Sequence, residues 1–170
     1  MGPARSCCSR SRTERAGTAH RSTRVRRWSR PRCNDGGRPP GAYALQAAIA
    51  AIHAQAPTAA ETDWTQIAAL YGVLARVHST PVVELNRAVA VAMSSGIERG
   101  LALVDDLERR GELAGYHLLP VARAELLRRL GRHAEAAQSY RGALALVNND
   151  AERRHLEKRL REVVSSSSLR

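Results

Sequence analysis

From Gly41 onward the apolar residues of this 170-residue chain recur every three or four positions, in segment after segment, and do not alternate. That period gathers side chains onto one face of an α-helix, whereas a half-buried strand needs a period of two. The chain must therefore bury a series of helical stripes against one another. It has no Phe, two Trp and four Tyr, so Ala, Leu and Val have to fill the interior. Such a core suits helices that approach closely. No apolar run reaches the roughly 18 residues needed to cross a membrane. The start of the chain lacks the apolar stretch of a secretory signal, so the expected location is the cytoplasm.

The first stripe is Leu45, Ile49 and Ile52, stopped by Pro57. Thr58 and Glu61 have capping-box spacing, and Trp64, Ile67, Ala68, Tyr71, Leu74 and Val77 carry the next stripe. Thr80-Pro81 is a start signal, a cap residue followed by Pro at the first helical position. The helix that follows is apolar nearly all round, broken only by Glu84, Asn86 and Arg87, as expected of a helix buried between neighbours. Ser94-Ser95-Gly96 is a turn, and Ile97, Leu101, Val104 and Leu107 lead to Arg109-Arg110-Gly111, with cations at the helix C-terminal end. Residues 113–130 hold Leu119, Ala122, Leu126, Leu127 and Leu130, and Pro120 fits only if regular helix starts near Leu119. Gly131 ends that element. Ala136, Ala137, Tyr140, Leu144 and Val147 form the next stripe, and Asn149 caps a last helix over 150–164 with Leu156, Leu160 and Val163. The expectation is an all-α domain over residues 41–165, about seven helices in stacked antiparallel hairpins, with residues 166–170 frayed.

The formal charge of +11 suggests nucleic acid until it is divided. Residues 1–40 hold eleven Arg and two acids, a net +9, while residues 41–170 are nearly balanced at +2. Cys7, Cys8 and Cys33 also lie in the first part, at spacings that match no zinc site. That segment has no Leu, no Ile and no periodicity, so it is expected to be disordered. One reading makes it a basic arm for weak, nonspecific binding of phosphate backbones, with Trp28 available for stacking. Another makes it a product of a wrong reading frame. The chain uses 26 Arg against one Lys, as GC-rich coding DNA would, and such DNA read out of frame yields Arg, Ser, Pro, Gly, Ala and Cys. A third leaves it as an ordinary tail.

Leu130-Gly131, then Glu135-Ala136-Ala137, Tyr140 and Ala143-Leu144-Ala145-Leu146 resemble the second half of a tetratricopeptide unit. A weaker copy lies 35 residues earlier, from the turn at Gly96 to Gly100-Leu101-Ala102-Leu103. The ordered blocks LQAAIAAIHA, TDWTQIAALYGVL, TPVVELNRAVAVA, GYHLL, ARAELLRRLGR, EAAQSYRGALAL and ERRHLEKRL are more specific. From about Gly37 to Val164 the chain resembles the C-terminal extension of a group of bacterial extracytoplasmic-function (ECF) RNA polymerase sigma factors. Those proteins carry a tetratricopeptide-like domain behind two promoter-binding sigma domains. The resemblance implies a regulatory interaction domain for transcription initiation, with sigma-factor domains or RNA polymerase as partners and no promoter binding of its own. The family's promoter-reading regions, roughly 200 residues for two small helical domains, are not in this chain. Pro120 also departs from the small or His residue usual at that place. The alternative is a free-standing tetratricopeptide adaptor whose basic arm binds nucleic acid or acidic partners.

Nothing points to an enzyme. The sequence has no Ser-His-Asp constellation, no Gly-rich phosphate loop, no His pair at metal spacing and no cofactor motif. Its six His are scattered, and Asp105, Asp106 and Glu108 read as a solvated face. Trp64 and Tyr71 sit on stripe positions and read as core. The candidate groove contacts are Asn86 and Arg87, polar residues in an otherwise apolar helix, joined by Arg123 from the next hairpin. The competing reading is local: Arg87 pairs with Glu84 or a neighbour, and Asn86 bonds to backbone.

Overall fold

The computed structural model describes residues 40–167. Seven helices follow one another: α1 (Ala42–Gln55), α2 (Trp64–Val77), α3 (Pro81–Ser95), α4 (Ile97–Arg110), α5 (Leu118–Arg129), α6 (His133–Leu146) and α7 (Asp150–Ser167). No strand occurs among the described residues. Each helix packs on the next in the chain, and α3 also touches α5. The tail expected over residues 1–40 lies, but for Pro40, outside the described residues, as does the chain end after Ser167.

The links are short and chemically specified. Thr80 accepts a hydrogen bond from the Val83 amide at 3.2 Å, and Pro81 occupies the first helical position. A single residue, Gly96 at φ 118°, joins α3 to α4, a conformation that a side chain would strain. Gly131 at φ 73° closes α5: its amide bonds Arg128 O, and the Arg132 amide reaches back to Leu127 O at 3.0 Å. Asn149 Oδ1 accepts from the Ala151 amide at 2.8 Å and so starts α7. Arg153 of α7 in turn donates to the carbonyls of Leu144 and Val147, the groups left open at the end of α6.

Three local expectations change. Thr58 and Glu61 bond each other within a turn, and the cap of α2 is Asp63, which accepts from the Gln66 amide at 2.9 Å. Trp64 Nε1 donates to Ala59 O at 2.9 Å and so pins that turn, which leaves the capping role to the next acid along. Val77 ends α2 at 46% exposure and is not part of the core. Helix α7 runs on to Ser167, and in its last turn the hydroxyls of Ser165 and Ser166 donate to the carbonyls of Arg161 and Glu162. Pro120 meets the condition set by its missing amide, since α5 begins at Leu118 and the proline falls in the first turn.

The core has two clusters, and α3 belongs to both. Val83 and Ala90 pack with Leu45, Ile49, Ile67 and Leu74, while Leu85, Ala88 and Ala92 face the larger cluster built from α4 to α7. That double duty explains why α3 is apolar nearly all round. Trp64 and Tyr71 pack partly buried against the smaller cluster. Where α4 crosses α3 the contact is backbone-close. A Cβ on Gly100 would stand 2.2 Å from Ala92 Cβ and 2.7 Å from the Ala88 carbonyl oxygen. No helix among the described residues is long and apolar enough to cross a membrane.

Candidate functional site

Helices α2 and α4 both pack on α3 and leave a cleft of about 430 Å³ between them. Its walls follow from helical spacing. Gly72, Ala75 and Arg76 lie on one face of α2, with Ser79 just beyond its end. Leu103, Asp106, Leu107 and Arg110 lie on one face of α4, at i, i+3, i+4 and i+7. Glu84 and Arg87 rise from α3.

The charges in this cleft are unequally committed. Arg110 hydrogen-bonds Glu84 and pairs with Asp106 at 3.3 Å and Glu112 at 3.2 Å. The Arg110 hydrogen bond holds the Glu84 carboxyl below its usual range; partial burial opposes this, and the Arg110 charge, a bond from Ser79 and the Arg87 charge add to it. Arg76 and Arg87 make no hydrogen bond and no ion pair with any described residue. Gly72 sits mid-helix, where glycine costs about 1 kcal/mol relative to alanine. Yet a Cβ there would meet nothing within 4 Å, so packing does not require the glycine.

A second charged cluster joins α5, α6 and α7. Glu125 accepts from Tyr140 Oη at 2.6 Å and from Arg128 at 2.9 and 3.1 Å. Arg159 Nε lies 3.2 Å away as an ion pair, its N–H not aligned for a hydrogen bond. Burial pushes the Glu125 carboxyl up, but the bonds from Tyr140 and Arg128 and the charges of Arg128 and Arg159 outweigh it, so the group lies below its usual range. Burial and the neighbouring Glu125 carboxylate push the Tyr140 phenol well above its ordinary value. Through Glu125 the cluster links α5 to Tyr140 of α6 and Arg159 of α7.

Of the three groove residues expected from sequence, only Arg87 lines the cleft. Asn86 is exposed and does not line it. Arg123 is held at the seam of α4, α5 and α6, bonded to Asp105 and Ser139 at 2.8 and 2.9 Å and 3.2 Å from Glu108. Asp105, Asp106 and Glu108 keep much of their side-chain surface in solvent and also make ion pairs: Asp105 and Glu108 hold Arg123, and Asp106 holds Arg109 and Arg110. The pairing of Arg87 with Glu84 is replaced by that of Arg110, which reaches Glu84 from the next helix. Sequence reasoning missed Arg76 and Gly72. The available signal was a glycine inside a strongly periodic helix.

No family model matches the chain, and no solved structure does. In an alignment 144 positions long that covers 79% of this chain, the sequence is 42% identical to an uncharacterized protein of Rhizobium meliloti (strain 1021). The chain spans about a third of that protein's length, 34%.

Proposed function

We propose that residues 41–165 are the tetratricopeptide-like interaction domain of an ECF-type RNA polymerase sigma factor, a regulatory module that does not bind promoters itself. The observation that carries this is the cleft over α3, walled by two further helices and holding two arginines that make no hydrogen bond or ion pair with any described residue. Stacked helical hairpins use such concave surfaces to hold segments of other proteins. The similarity to one third of a longer protein agrees with a module that works beside other domains. The ordered sequence blocks supply the sigma-factor part of the reading.

The test uses the part of the R. meliloti relative that this chain does not span, as a separate polypeptide with core RNA polymerase. The expected result is promoter-directed transcription by that part, co-elution with this chain, and a change in transcript yield when the chain is added. A segment that does not engage polymerase, or a chain that neither binds nor alters transcription, overturns the reading. The chain alone is expected to give no sequence-specific promoter complex.

A second reading, an adaptor with a basic arm and a cytoplasmic role, rests on the net +9 of residues 1–40. It predicts nucleic-acid affinity that falls steeply with salt and disappears when those residues are deleted.

A further inference from the structure

We propose that the α2–α4 cleft is a receptor for an acidic peptide segment, with Arg76 and Arg87 as the carboxylate-binding residues and Gly72 as the opening that admits it. This deepens the reading of the domain as an interaction module and rests on it.

Three independent features converge on that occupant. The cleft has two cations, Arg76 and Arg87, that make no hydrogen bond and no ion pair with any described residue, although the Arg87 charge is felt at Glu84; its third, Arg110, is already held by Glu84, Asp106 and Glu112. A guanidinium binds a carboxylate through charge-assisted, often paired hydrogen bonds. Gly72 is disfavoured in a helix interior and has no packing reason to be there, but any side chain at that place would project into the cleft. The walls then sort the anion. Glu84 and Asp106 stand beside the arginines and repel a continuous run of phosphates, whereas an isolated carboxylate avoids them. Ala75, Leu103 and Leu107 offer apolar contact to a residue next to the acid. The volume, about 430 Å³, suits a few side chains. A peptide with Asp or Glu beside an apolar residue satisfies all of these.

The experiment selects from a random nonapeptide library on the full 170-residue chain and, in parallel, on full chains carrying Gly72→Leu or the pair Arg76→Gln and Arg87→Gln. The basic N-terminal segment is common to all three, so any acid preference it contributes cancels. Thermal melts check that the variants stay folded; open space around Gly72 predicts a melting temperature for Gly72→Leu no lower than that of the parent. The expected result is peptides with Asp or Glu beside an apolar residue, held about tenfold more tightly than their Asn or Gln counterparts. That preference should be lost in both variants. No selection, selection without acid preference, or selection unchanged by Gly72→Leu overturns the proposal, as does a selected peptide displaced more readily by oligothymidylate than by free acidic peptide. Acid-selective capture together with no response to the R. meliloti segment or polymerase removes the sigma-factor reading and leaves this one standing. The opposite pair of results removes only this one.

Discussion

The two charged clusters of this domain use the same residue types for opposite ends. At Glu125 a half-buried carboxylate is shared by Tyr140, Arg128 and Arg159, and it ties three helices together. At Glu84 a carboxylate of similar exposure is held by Arg110 alone among the arginines, while Arg76 and Arg87 line the same cleft with no hydrogen bond or ion pair to any described residue. The first closes on itself, and the second leaves cationic capacity for something outside. In both places a middle helix packs on its two neighbours. The difference lies in what the charges reach: Arg159 of α7 spans α6 to Glu125 of α5, whereas the ion pair of Glu84 joins α3 to α4 alone.

The largest test of this contrast is Tyr140→Ala. It removes a fully buried ring from the larger core cluster and the phenol from Glu125. The expected loss is about 3–5 kcal/mol in urea unfolding; a loss below 1 kcal/mol (about the size of a surface change) would mean that the ring is not the keystone between α5 and α6. Next is Gly100→Ala. In an open helix that change gains about 1 kcal/mol, but against Ala92 and the Ala88 carbonyl it is expected to cost about 1–3 kcal/mol. An increase in melting temperature would show that α3 and α4 can separate freely.

Smaller effects separate the carboxylates themselves. Glu125→Gln is expected to cost about 1–3 kcal/mol, because it leaves half-buried donors without their charged acceptor. Glu84→Gln is expected to cost less than about 1 kcal/mol, as exposed pairs do. Equal costs would erase the distinction between a structural and an open cluster. The smallest test is pH and salt. Both carboxyls are held below their usual value in the fold. Folding therefore favours their ionised forms: the contribution is complete above the unfolded carboxylate value and is lost as pH falls through the folded one. High salt should weaken the Glu84 part and spare most of the Glu125 part. Acid unfolding curves of Glu84→Gln and Glu125→Gln at low and high salt measure this, and an equal salt response in both would contradict the difference in how the two carboxylates are held.

Much of the fold was legible because it is written in short-range chemistry. Thr80-Pro81, Gly131 and Asn149 mark helix ends by bonds to residues within a few positions, and each end falls where those bonds require. Thr58 and Glu61 misled because their spacing is right for a cap, but Trp64 draws the segment into a turn. The site was less legible. Arg87 could be singled out as a charge in an apolar helix. Its neighbour Arg76 looks like any helix-end cation until α4 is placed opposite it. Arg123 looked like a groove residue from its position, yet Asp105 and Ser139, from two other helices, hold it in place.

By itself, then, the sequence determined the number and kind of the helices and most of their limits, because periodicity and capping act within a turn or two of chain. Its reliance on Ala, Leu and Val also pointed to close helix contacts, while the tightest of them, Gly100 against Ala92, came from the tertiary structure. Only the tertiary structure decided which charges are spent and which are free. Ion pairing depends on distances between helices far apart in sequence, and Arg110 reaches Glu84 across 26 positions. Arg110 takes that one carboxylate as its hydrogen-bond partner, and Arg87 acts on it through charge alone.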